Sequence, residues 1–118
     1  MMDQKRLLAF RHALDGLIES LDAFVRIARL PPGELPSADQ TAAAGLLVDR
    51  LGAADRYASS RPAGTPNDLA KFDALRSAMK RLDAAYLAYR RQSASPGDAS
   101  DALARLEAEV AATRHAHA

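Results

Sequence analysis

The amino-acid sequence predicts an all-α protein folded as an antiparallel, up-down-up-down four-helix bundle. Three observations predict it. Large apolar residues recur at helical spacing through residue 30, hydroxyl residues able to cap a helix stand at Ser37, Thr65 and Ser95, and no segment alternates apolar and polar residues as a strand would. Helices of similar length joined by short connections pack as antiparallel neighbours. A chain of 118 residues forms one domain, 1–118, with a core that needs no covalent staple.

The first helix is expected over 3–30. In a heptad counted from Leu7, Leu7, Leu14, Leu21 and Ala28 fall at a, Phe10, Leu17 and Phe24 at d, and Ile18 and Val25 at e. His12, Glu19 and Arg26 lie on the opposite face, which is the division a core-forming amphipathic helix requires. The spacing places Leu14, Leu17, Leu21 and Phe24 at the centre of the core. Pro31-Pro32-Gly33 ends this helix, and Pro36 keeps the following chain extended.

A second helix is expected over 38–59. Ser37 and Gln40 have the spacing of a capping box, and the inward seam reads Ala44, Leu47, Val48, Leu51, Ala54 and Ala58. Gly45 and Gly52 share a face of this helix, each costing about 1 kcal/mol relative to alanine, so a close helix–helix approach is expected there. Thr65-Pro66-Asn67-Asp68 and Ser95-Pro96-Gly97-Asp98 repeat one start signal: a hydroxyl cap, proline at the first helical position and aspartate at the positive end of the dipole. They open helices over 66–92 and 96–115. The third directs Leu69, Phe72, Leu75, Met79, Leu82, Tyr86 and Tyr89 inward; the fourth directs Ala99, Leu103, Leu106, Val110 and Thr113.

Composition excludes several classes of chemistry. The chain has no cysteine, hence no disulfide and no thiolate metal site. Residues 7–10 are too short an apolar run for a secretory signal, and no run approaches the ~20 apolar residues of a membrane span; the expectation is a cytoplasmic protein with no membrane partner. Alanine, at 27 residues, favours helix but buries little surface. Arginine outnumbers lysine 13 to 3, which reads as the amino-acid bias of a GC-rich bacterial genome, because a net charge of +1 offers little field for polyanions.

No catalytic motif is found. None of Glu19, Glu34, Glu107 and Glu109 is followed three residues later by histidine, as a di-iron bundle needs. His115 and His117 form a His-x-His that suits a helix C-terminus better than a metal. No cofactor and no small-molecule substrate is inferred. The 66–92 segment is basic through Lys71, Arg76, Lys80, Arg81, Arg90 and Arg91, but Asp83 and Leu87 interrupt the row. Neutralisation by the acidic last helix is expected rather than nucleic-acid binding.

His12-Ala13-Leu14-Asp15-Gly16 resembles the His-x-Leu-Lys-Gly segment of histidine phosphotransfer domains, and Ser20, Leu21 and Ala23 continue a similar rhythm. The resemblance covers residues 12–23. It implies a four-helix bundle with His12 as phosphoacceptor on an outer face and Gly16, one turn on, admitting a response regulator. Asp15 stands where that family has lysine, and a carboxylate there repels a phosphoryl group.

Leu8, Ile27, Leu30, Leu35, Leu46, Tyr57 and Leu87 fall off the helical seams. Ile27, Leu30 and Leu35 gather toward one end of the bundle, and Leu46 and Tyr57 share a face of the expected second helix. Apolar patches of this kind mark association. The expected function is therefore a non-enzymatic helical interaction module, a self-associating adaptor, accessory or chaperone-like protein that forms a homo-oligomer or binds a helical partner. Histidine phosphotransfer at His12 is the alternative.

Overall fold

The computed structural model describes residues 2–61, 63–92 and 96–116. These form five helices and no strand: α1 (Met2–Ala28), α2 (Ala38–Gly45), α3 (Leu47–Ala58), α4 (Pro66–Gln92) and α5 (Pro96–Ala116). No helix among them is long and apolar enough to cross a membrane.

The heptad of α1 folds as its pattern dictates. Leu7, Phe10, Leu14, Leu17, Ile18, Leu21 and Val25 are all buried, Leu14 and Leu17 completely. Burying each such side chain contributes about 1.5–3 kcal/mol, which makes α1 the axis of the molecule. It packs against each of the other four helices. Phe24 departs from its expected place at the core's centre: it is half-buried, with the rings of Tyr86 and Tyr89 edge-on to it, each 5.5 Å away between centroids. Beyond α1, Glu34 N–H donates to the Pro31 carbonyl at 3.1 Å, and Gly33 has φ +90°. A turn with proline second and a left-handed third residue requires glycine there.

The expected second helix is two helices rather than one. Ser37 caps α2 with the full capping box, its Oγ accepting from Gln40 N–H while Gln40 Oε1 accepts from Ser37 N–H. The helix then breaks at Leu46, whose N–H turns back to Ala43 in a tightened, three-residue manner. The only apolar side chains of α2 are alanines and none is fully buried, so little packing energy opposes the break beside the weak helix former Gly45. The seam continues in α3, where Leu47, Ala54 and Ala58 are buried. Val48, expected in the seam, is 70% exposed. The two glycines do not admit a neighbouring helix: a Cβ at Gly45 or Gly52 would meet nothing within 4 Å.

α4 and α5 form over the expected spans. Thr65 Oγ1 accepts from Asp68 N–H and Asp68 Oδ2 accepts from Thr65 N–H; the corresponding Ser95 cap lies outside the described residues. α4 buries Phe72, Leu75, Met79, Leu82 and Tyr86, and α5 buries Leu103, Leu106, Val110 and Thr113. Phe72 meets Phe10 while Tyr86 meets Phe24, so α4 runs parallel to α1. Arg29–Glu107 and Asp22–Arg114 pairs, at 2.8 and 3.8 Å, set α5 antiparallel to both.

Two variants test this packing by chemical denaturation. Leu17→Ala is expected to lose about 2–5 kcal/mol, whereas Arg26→Ala, which removes only an exposed i,i+4 pair with Asp22, changes stability by no more than ~0.5 kcal/mol. Gly52→Ala should raise stability by up to about 1 kcal/mol, because helix propensity improves and the added methyl meets open space. A loss at Gly52 would restore the close approach that the structure lacks.

Candidate functional site

The side of α1 that faces α2 and α3 is made of small residues. Gly16, Ser20 and Ala23 lie there, with Ser20 and Ala23 buried. Arg50 of α3 lays its side chain along this stripe. Its Nη1 donates to the Gly16 carbonyl and to Ser20 Oγ, both at 3.1 Å, and lies 3.5 Å from Glu19 Oε2. A Cβ at Gly16 would sit 3.5 Å from Arg50 Cδ and Nε, an ordinary packing contact with the arginine stem. Nothing in the heptad of α1 singles out Arg50; the signal for it is the run of small residues Gly16, Ser20 and Ala23 on one side of an otherwise bulky helix.

This contact bears on the phosphotransfer resemblance. His12 is exposed, as that geometry asks. Gly16, one turn on, is half-buried beneath the Arg50 guanidinium. The Cβ side of Gly16 thus faces α3 and Arg50.

The off-seam apolar residues do not form one patch. Tyr57 stacks on Phe10, with centroids 6.0 Å apart and planes at 16°, and belongs with the core. Leu46, at the helix break, is 42% exposed. Ile27 and Leu30 are half-buried, whereas Leu35, in the loop before α2, is 89% exposed. Leu8 is 57% and Leu87 39% exposed.

Leu8 stands apart because it borders a groove of about 410 Å³ between the first turns of α1 and those of α4. Leu7 and Leu75 form its floor, both buried. Its rims carry Leu8 and Arg11 from α1, and Lys71 and Ala74 from α4, all exposed. The groove continues the line that α5 fills. Seven and fourteen residues beyond Arg11, on the same side of α1, Ile18 and Val25 are buried, and Val25 lies with Val110 and Ala111 of α5. Along α4 the Glu109–Arg81 pair, at 3.6 Å, marks the same line. α5 thus covers the later turns of α1 and α4 and leaves the earlier turns open.

The basic row of α4 is neutralised only in part. Arg81 pairs with Glu109 and Arg90 lies over the Tyr86 ring at 5.9 Å. Lys71, Arg76, Lys80 and Arg91 have no ion pair among the described residues. No group of three or more potential metal ligands occurs among the described residues, where His115 is exposed; His117 lies outside them. No family model, no curated protein and no solved structure matches this chain.

Arg50 provides the stability test. Arg50→Met keeps a chain along the stripe but leaves the buried Ser20 hydroxyl without its donor, and should cost about 1–3 kcal/mol. Adding Ser20→Ala should recover part of that loss, so thermal denaturation of the single and double variants is expected to be non-additive. Strict additivity would mean that the two side chains are not coupled.

Proposed function

We propose that this protein is a non-enzymatic interaction module that holds a helix of another polypeptide. In this reading α2 and α3 together stand for one member of an up-down-up-down four-helix bundle of cytoplasmic location. The supporting observation is the groove between the early turns of α1 and α4, which has the floor of a helix-packing surface and carries the exposed Leu8 on its rim. Packing of an amphipathic helix into such a groove is a common mode of peptide recognition. Among the described residues the buried polar side chains are Ser20 and Thr113, both satisfied by hydrogen bonds, and the Tyr86 ring, so no buried carboxylate, histidine or lysine is there to carry acid–base catalysis.

The test compares wild type with Ala74→Trp, a change at an exposed rim position that fills the groove without replacing a core side chain. Affinity capture from the native host, with the full chain as bait, should recover a partner at least ~10-fold better with the wild type. Light scattering on the same two proteins covers the self-associating form: a dimer of wild type that becomes a monomer in Ala74→Trp would make the partner a second copy. Equal behaviour of the two proteins in both measurements would remove the groove from any function.

A further inference from the structure

We propose that α2 is a lid, which lifts from the last turns of α1 about Leu46 while the other four helices stay packed. It works on a different flank of α1 from the groove between α1 and α4 and does not depend on what that groove binds. The second arm runs antiparallel to α1: Arg6 Nη2 donates to the Ser60 carbonyl, Tyr57 stacks on Phe10, and Arg50 bonds to Gly16 and Ser20. That register lays α2, with its half-buried Ala43 and Ala44, along the turn from Ala23 to Ile27. Gln40 forms one wall of a cleft of about 440 Å³ that Arg26, Arg29 and Leu30 also line. Lifting α2 uncovers Ala23 and Ile27 and opens this cleft on the Gln40 side. A small, apolar surface beside two arginines is thus hidden or shown by a motion within the chain.

The ties that hold α2 down are few. Its side-chain hydrogen bonds stay within its own first turn: Ser37 and Gln40 form the capping box, and Thr41 Oγ1 donates to the Ser37 carbonyl at 3.0 Å. Among the described residues no ion pair and no side-chain hydrogen bond joins α2 to another helix. No residue of α2 belongs to the apolar core, and neither does Ala23, although Ala23 is buried. By contrast α3 is anchored by Leu47, Ala54 and Ala58 and by the Arg50 head group. With 8 residues, α2 is shorter than the ~12–15 that a helix needs to persist alone in water, so its order depends on α1. Both of its boundaries suit a hinge. The Pro31–Gly33 turn and the exposed Leu35 precede it. Leu46, with φ −89° and ψ −1°, lies at the edge of the right-handed helical region and turns without a steric barrier.

Hydrogen exchange of the full chain, resolved by residue with NMR, tests the lid. The amides from Ala42 to Gly45 are expected to exchange at least ~100-fold faster than those at the centres of α1 and α4, and with little dependence on denaturant, as a local opening does. Val110→Ala, which weakens the core at α5, should speed exchange in α4 about ten-fold and leave Ala42 to Gly45 unchanged. The chain has no cysteine, so Ala23→Cys places a single thiol beneath the lid. That thiol should react with an alkylating reagent at least ~100-fold faster than the thiol of Ala78→Cys, which lies in the core. Exchange from Ala42 to Gly45 that accelerates together with α4 in Val110→Ala would overturn the lid, since α2 would then open only by global unfolding. Fast exchange in α2 with an Ala23→Cys thiol as slow as that of Ala78→Cys would also overturn it, leaving a helix that frays without uncovering α1.

Discussion

The rest of this structure depends on the burial of α1. Its inward side chains run from Ile18 around through Leu14 and Leu17 to Ser20 and Ala23, more than half of the helix's circumference at about 100° per residue. A helix with so wide an apolar face cannot be satisfied by one neighbour. All four remaining helices pack on it, and the aromatic contacts of Phe10 and Phe24 fix where α4 and Tyr57 sit along its length. Loss of that central burial would leave the alanine-rich partners with little to pack against, since alanine contributes helix propensity rather than buried area.

The two flanks of α1 solve different packing problems. Toward α5 the contacts are aliphatic, with charge pairs at the edge that are exposed and contribute little individually. Toward α3 the surface is small, and a long arginine stem lies across it with its head group bonded to a carbonyl and a buried hydroxyl. Arg50 is mostly stem, so it fills volume as an apolar residue would while satisfying the polar group that burial would otherwise leave orphaned. α2, by contrast, meets α1 and α3 alone and buries no residue fully. That difference places the fully buried part of the second arm after Leu46 and the half-buried part before it.

The proposed binding surface follows from the same axis. α1 and α4 lie side by side through much of their length, but α5 covers only their later turns. The channel that two parallel helices form has no reason to change character where its occupant stops. Its early turns therefore keep a helix-shaped floor, now edged by Leu8, Arg11 and Lys71. Function in this reading is a property of helix register rather than of any reactive group.

The sequence by itself determined the helical class, the spans of α1, α4 and α5 and nearly all of the core, because a 3.6-residue period and hydroxyl–proline starts are local signals carried by neighbouring residues. Leu8 and Lys71 were legible as an exposed leucine and an exposed base, but not as members of one site. Only the tertiary structure decided that, since it depends on how far α5 reaches along α1 and α4. It also decided the break at Leu46, the exposure of Val48 and the return of Tyr57 to the core through Phe10. In each case the outcome is set by contacts between helices, which local propensity does not carry. The fit of Arg50 over Gly16 and Ser20 joins residues thirty or more positions apart, and no periodicity within one helix can encode a contact made between two.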